Sequence, residues 1–276
     1  MRIVIYDSGV GGLSIYKAVQ AALPEHDYIF LSDNQAFPYG TKSEEDLLNR
    51  VHQVTHAVMD HYEPHLVIVA CNTASTLALD SLRDTYDARF IGVVPAIKPA
   101  ATLSQTRHIA VLATPATVER PYTKRLITEH AQGCRVDLIA APSMVALAET
   151  KLRGEGVDLA ELEKIMLPIK SDQSIDTLVL ACTHYPLLKP EIKQVLGQDT
   201  HVKHIIDSAD AIARRAMTVL SQMASEQGDK GQAPPTDAKQ RVRQHTALFT
   251  RQENWSDEFL AYLEKLSFDQ IDHIRV

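Results

Sequence analysis

The feature that most constrains this fold is an apolar run that occurs twice. Leu66-Val67-Ile68-Val69-Ala70 has no polar residue on either face of an extended chain and stops at Cys71-Asn72-Thr73. At a distance of 111 positions, Thr177-Leu178-Val179-Leu180-Ala181 stops at Cys182-Thr183-His184. A strand with one wet face alternates polar and apolar residues, whereas runs that do not alternate belong in a parallel sheet covered on both faces. The opening strand repeats as well: Ile3-Val4-Ile5-Tyr6-Asp7-Ser8 is similar to Ile109-Ala110-Val111-Leu112-Ala113-Thr114, 106 positions on. Two echoes in the same order imply two related α/β halves, each placing one cysteine at the end of a buried strand.

The rest of the chain fits that frame. Strands are predicted at Arg2–Tyr6, Tyr28–Ser32, Leu66–Ala70, Phe90–Val93, His108–Ala113, Arg135–Ala140, Thr177–Ala181, His204–Ile206 and Ala247–Thr250. Helical patterns fall between them, at Leu13–Ala22, Ser43–Tyr62, Ala74–Tyr86, Ile97–Leu103, Thr117–Glu129, Met144–Leu152, Leu159–Lys170, Ser208–Glu226 and Ser256–Lys265. Strand and helix in alternation predict an α/β fold with right-handed crossovers. Gln227–Arg243, rich in Gly, Lys, Gln, Pro and Asp, reads as a surface loop.

At 276 residues, with 45% hydrophobic and 23% charged residues, the composition is that of a globular enzyme of one large or two smaller domains. A formal charge of −7 gives no footprint for nucleic acid or an acidic membrane. No apolar run approaches the ~20 residues of a membrane span. The opening Met1–Gly12 meets Asp7 too early for a secretory signal and reads as the first strand. Cys71, Cys134 and Cys182 are too few and scattered for a disulfide framework, so a reducing cytoplasm with free thiols is expected.

In open α/β sheets ligands bind at the carboxyl ends of strands. Asp7-Ser8, Cys71-Asn72-Thr73, Thr114 and Cys182-Thr183-His184 all occupy such ends, so two facing halves would close one cleft with a thiol on each wall. Inverting a carbon stereocentre requires removing a proton from one face and delivering another to the opposite face. Two thiols can do this without moving, because a reference pKa of about 8.5 leaves both protonation states within reach. Asp7 and His184 could exchange protons with the thiols, or Asp7 could bind an ammonium group. Ser8, Asn72, Thr73 and Thr183 are donors suited to a carboxylate, and the turn Phe37-Pro38-Tyr39-Gly40 with Thr41 and Lys42 offers backbone N–H groups.

Plainer readings apply to the other features. Cys134 has no echo and reads as structural. Gly9-Val10-Gly11-Gly12 does not fit GxGxxG, although its glycines allow close backbone approach. Cys182-Thr183-His184 has no CxxC or HxxxH partner for zinc, so no metal is expected. His52, His56 and His61 read as a solvated helix face. Glu149, at the end of an apolar helical stretch, reads as a surface carboxylate and stands only as a second-rank candidate.

At these residues the chain closely resembles the glutamate racemases of bacterial peptidoglycan synthesis. The motifs are Tyr6 to Ser14 (YDSGVGGLS), Ser32-Asp33 with Pro38-Tyr39-Gly40, Ala70 to Ser75 (ACNTAS) and Ala181 to Leu188 (ACTHYPLL), in family order. The resemblance implies an isomerase with two pseudo-symmetric α/β domains, parallel-type sheets and the active site in the cleft between them. The first domain would comprise residues 1–96 plus 208–276 and the second residues 97–207. It further implies interconversion of L- and D-glutamate without cofactor or metal, in a cytoplasmic homodimer serving cell-wall biogenesis and cell shape. Cys71 would serve D-glutamate and Cys182 L-glutamate, assisted by Asp7 and His184. Those two with Ser8, Tyr39, Gly40, Asn72, Thr73 and Thr183 would hold the substrate. Thr114 and Thr117, in Ala113-Thr114-Pro115-Ala116-Thr117 where the family begins with Gly, are second-rank contacts. Tyr6 replaces the usual Phe, and Ala181 a common Gly. Control by a cell-wall precursor, linked to an N-terminal extension in some members, is not expected here.

Rival readings differ in substrate or in kind. An aspartate racemase would use the same chemistry in a pocket of different depth. A decarboxylase needs one thiol, and a hydantoin racemase has other residues around its cysteines. A non-catalytic protein binding acidic amino acids would explain the polar strand ends but not the paired cysteines. A thiol-disulfide oxidoreductase would need a CxxC.

Overall fold

The computed structural model describes residues 1–228 and 243–276. In chain order they form β1 (Arg2–Asp7), α1 (Leu13–Ala22), β2 (Asp27–Ser32), α2 (Glu44–Tyr62), β3 (Leu66–Val69), α3 (Asn72–Thr85), β4 (Arg89–Gly92) and α4 (Ile97–Leu103). There follow β5 (His108–Ala113), α5 (Pro115–Glu119), α6 (Pro121–His130), β6 (Arg135–Ala140), α7 (Ser143–Leu152), α8 (Leu159–Ser171), β7 (Thr177–Leu180), α9 (Lys189–Leu196) and β8 (His204–Ile206). The chain ends in α10 (Ala209–Gly228), β9 (His245–Phe249), α11 (Asp257–Lys265) and β10 (Gln270–His273).

The strands make two parallel sheets, β10-β9-β2-β1-β3-β4 and β6-β5-β7-β8. The order β2-β1-β3-β4 matches β6-β5-β7-β8, so the cysteine echo maps onto corresponding strands, β3 and β7. Along β1 the side chains alternate between two cores: Ile3 and Ile5 join one with α1, α10 and α11, and Val4 and Tyr6 the other with α2 and α3. The second sheet is covered likewise, by α4 and α6 on one face and α7, α8 and α9 on the other. Around the central strands both faces of both sheets are dry, which is why β3 and β7 carry no alternation.

Four local readings change. The helix expected over Thr117–Glu129 is two helices, because Pro121 holds Arg120 extended at φ −64°, ψ 138°. Helix α9 and strand β10 have no counterpart in the sequence reading. Strand β10 is exposed at all four residues and so has no burial pattern to betray it. Of the loop expected over Gln227–Arg243, Gln227 and Gly228 instead close α10, and residues 229–242 lie outside the described residues. Among the described residues no helix is long and apolar enough to cross a membrane.

Candidate active site

The carboxyl ends of β1, β3, β5 and β7 converge on a cavity of about 240 Å³. Ser8, Cys71, Asn72, Thr73 and the turn 37–41 line it from the first sheet. Thr114, Cys182, Thr183, His184 and the start of α7 line it from the second. Each sheet thus contributes one free cysteine, and both thiols are buried.

The two cysteines have different supports. Cys71 is the residue before α3, where the Ala74 backbone in the first turn favours the thiolate without a formed side-chain cap. Burial and then the negative charge of Asp7 push the Cys71 thiol up to about 12, against the pull of Ala74 and Ser8. Cys182 meets only a turn and a short 3₁₀ segment over Tyr185–Leu188, and its neighbour is an imidazole: His184 Nδ1 lies 3.9 Å from its sulfur.

Behind each thiol runs a chain of polar contacts that crosses to the other sheet. The Ser8 hydroxyl lies 3.7 Å from Cys71 Sγ and donates to Asp7 Oδ1 at 3.4 Å, while the Ser8 N–H donates to that oxygen at 2.7 Å. Asp7 Oδ2 accepts from the Thr183 hydroxyl of the second half at 2.7 Å. From Cys182 the path leads through His184, whose Nε2 bonds Glu149 Oε1 at 2.8 Å, to the Val10 N–H of the first half, 3.2 Å from the same oxygen.

Charge follows these contacts. Burial alone would lower His184, but its hydrogen bonds to Cys182 and Glu149 and their negative charge outweigh it, leaving the imidazole well above its ordinary value. Burial would raise Glu149, but the bond and charge of His184, helped by the Val10 N–H, hold it below. The two directions agree on an imidazolium–carboxylate pair. Asp7 is raised by burial, opposed by His184, Thr183 and Ser8.

The sequence-predicted residues take several places. Ser8, Asn72, Thr73, Thr183, Gly40 and Thr114 line the cavity. Asn72 Nδ2 is buried with no partner among the described residues, a donor left for a ligand atom. Asp7 lies behind the wall with both oxygens engaged. Thr117 is fully buried behind Thr114, 3.0 Å from its hydroxyl. Tyr39 lines the cavity, but its hydroxyl is turned away, donating to Asp33 at 2.6 Å and touching Tyr6. Asp33 in turn takes the fork of Arg50 at 2.9 and 2.6 Å. The surface reading of Glu149 is overturned: its carboxylate is held behind the wall by His184 and Val10, partners 35 and 139 positions away. Of the sequence's helix-face histidines, His56 is exposed beside Asp60 and His52 bonds Ser81. Among the described residues His108, Asp137 and Asp172 could hold a metal ion, but Arg135 already contacts both carboxylates, at 3.2 and 3.5 Å, and the group sits at the far end of β5.

The glycine turn is shaped to His184. A Cβ on Gly11 would lie 2.5 Å from His184 Nδ1 and 2.6 Å from Thr183 Oγ1. Gly11→Ala is therefore expected to destabilise the fold by about 1–3 kcal/mol through overpacking and to displace the imidazole from Cys182. Urea unfolding and the rate of α-proton exchange, measured on one preparation, check both effects.

Residues 13–216 match the family model described as Asp/Glu/hydantoin racemase. The chain belongs to this family. It is 44% identical to a glutamate racemase of Vibrio campbellii over 85% of this chain and 88% of that one. Among solved structures it is similar to Escherichia coli glutamate racemase in complex with L-glutamate and the activator UDP-MurNAc-Ala. That match has 39% identity and a TM-score of 0.87, covering 100% of this chain and 98% of that one. A glutamate racemase isoform of Bacillus anthracis gives 27% identity and a TM-score of 0.77, over 99% and 96% of the two chains.

Proposed function

We propose that this protein interconverts L- and D-glutamate by a cofactor-independent, two-thiol acid/base mechanism. The observation that carries the reading is the pairing of Cys71 and Cys182, at the ends of corresponding strands of two sheets, on one small cavity. The glutamate racemases it resembles along nearly its whole length support the substrate.

In the L to D direction, the Cys182 thiolate takes the α-proton of L-glutamate and the Cys71 thiol gives its proton to the opposite face. The elevated Cys71 thiol suits that second step, since it holds the proton until a carbanion is present. The reverse direction exchanges the roles. His184, held by Glu149, steadies negative charge at Cys182, and Asp7 acts on Cys71 through the Ser8 hydroxyl. Asn72, Thr73, Thr183, Ser8 and the Tyr39-Gly40 backbone receive the carboxylates and ammonium. The polypeptide divides into a discontinuous domain, residues 1–96 plus 208–276, and a second, residues 97–207; the segregation of strands between the sheets supports this. It works in the cytoplasm as a homodimer and supplies D-glutamate for peptidoglycan.

Incubation with each enantiomer in deuterated buffer, without added cofactor, tests the reading by circular dichroism and α-deuteration. Inversion of both glutamates with deuterium at the α-carbon is expected. Exchange of aspartate alone would overturn the substrate, and exchange of no amino acid would overturn the activity.

A further inference from the structure

Arg120 is a buried cation that the proposed reaction does not use. It stands in the extended link between α5 and α6 and is 7% exposed. Its Nη1 crosses to the first half, donating to the Thr73 carbonyl at 2.7 Å and the Thr76 hydroxyl at 2.9 Å. Both acceptors are neutral, and no carboxylate pairs with it among the described residues. The position is doubly adverse: burial penalises the charge, and the first turn of a helix, here α3, repels cations. An arginine does not escape by losing its proton. Its field must therefore be matched by negative charge from another source.

Few groups are close enough to supply it. The negative charges acting on the guanidinium are that of Glu44 from α2 and, after it, that of Cys71, which immediately precedes the helical turn that Arg120 grips. Of the other groups acting on Cys71, Asp7 and Cys182 oppose a thiolate, and those that favour it, the Ala74 backbone and the Ser8 hydroxyl, are neutral. We propose that Arg120 is a positioning residue whose fixed positive charge favours the thiolate form of Cys71, and which clamps the first turn of α3 against the second half. The inference rests on Cys71 being an acid/base group. It gives that group a counter-charge that the cavity wall does not hold: Cys182 has His184 beside it, whereas Cys71 has only hydroxyl and amide donors.

The test isolates Cys71 in a Cys134→Ala, Cys182→Ala background. Alkylation by iodoacetamide, a neutral reagent, is then followed against pH. Arg120→Met keeps the volume of the side chain, so stability is not expected to fall with the charge; Arg120→Gln keeps polarity, and Arg120→Lys keeps the charge. Removing the cation should raise the Cys71 pKa by about one unit. The thiolate fraction at pH 8 then falls about tenfold, and the greater nucleophilicity of the more basic thiolate returns about threefold. Alkylation about threefold slower in the Met and Gln variants, with Lys tracking the parent, is the expected result. Unchanged rates, or an equal loss in Lys and Met, would overturn the proposal. Because no glutamate is present, the outcome is independent of the substrate. In the chain with all cysteines intact, Arg120→Met should lower kcat/KM equally for both enantiomers, as an equilibrium constant of one requires.

Discussion

Cys71→Ala and Cys182→Ala are each expected to lower racemisation by about 10³-fold, the contribution of a positioned acid or base. The losses should not multiply. The reaction needs a proton removed on one face and another delivered on the opposite face, so either deletion stops the cycle, and the double variant should be little worse than a single one. The single variants differ in what they retain. Cys71→Ala keeps Cys182 and should still wash deuterium into L-glutamate without inversion; Cys182→Ala should do the same for D-glutamate. Mass spectrometry of the recovered enantiomers, with optical rotation, separates exchange from inversion. Inversion surviving within tenfold of wild type in either variant would sink the two-thiol mechanism. Unfolding is not a competing explanation, since the thiols are small and removal of either sulfur opens space beside an existing cavity.

These outcomes were legible in the sequence as far as strand ends reach. A strand buried on both faces announces itself by composition, and the residue after it lies at the sheet edge where ligands bind, so Cys71 and Cys182 could be placed without a structure. The two cysteines could not be told apart in the same way. That Cys71 leads into the 14-residue helix α3 while Cys182 leads into a bend and a 3₁₀ segment depends on where Pro186 and Pro190 allow a helix to begin. Arg120 was hidden for a related reason: the apolar spacing over Thr117–Glu129 continues across the break, and only Pro121 marks the turn that sends its side chain to α3. Tyr39 was legible as a wall residue but not as one whose hydroxyl serves Asp33 and Arg50, because side-chain direction is set by contacts distant in sequence.

Glu149 was misread for that same reason, and its replacement is the second change expected to have a large effect. Glu149→Ala breaks a buried ion pair and leaves the Val10 N–H and His184 Nε2 unsatisfied, a loss of about 3–5 kcal/mol. Glu149→Gln keeps an acceptor oxygen for both donors and removes the charge alone, so it should fold better while disarming His184. Stability against pH distinguishes these effects. His184 is raised above its unfolded value of 6.5, so its contribution is complete below that pH and is lost as pH rises through the folded value. Glu149 is held below its unfolded value of 4.5, so its contribution is complete above that pH and is lost as pH falls through the folded value. The pair therefore stabilises the wild type most between 4.5 and 6.5, and its contribution declines from 6.5 toward the elevated folded value of His184 and from 4.5 toward the depressed folded value of Glu149. The difference in urea unfolding free energy between wild type and Glu149→Gln should form a plateau over that range and shrink on both sides. In activity, the imidazolium beside Cys182 would titrate at lower pH without its carboxylate, drawing the alkaline limb of the rate profile toward neutrality. A pH-independent stability difference, or an alkaline limb that stays in place, would mean that Glu149 holds His184 by shape and not by charge.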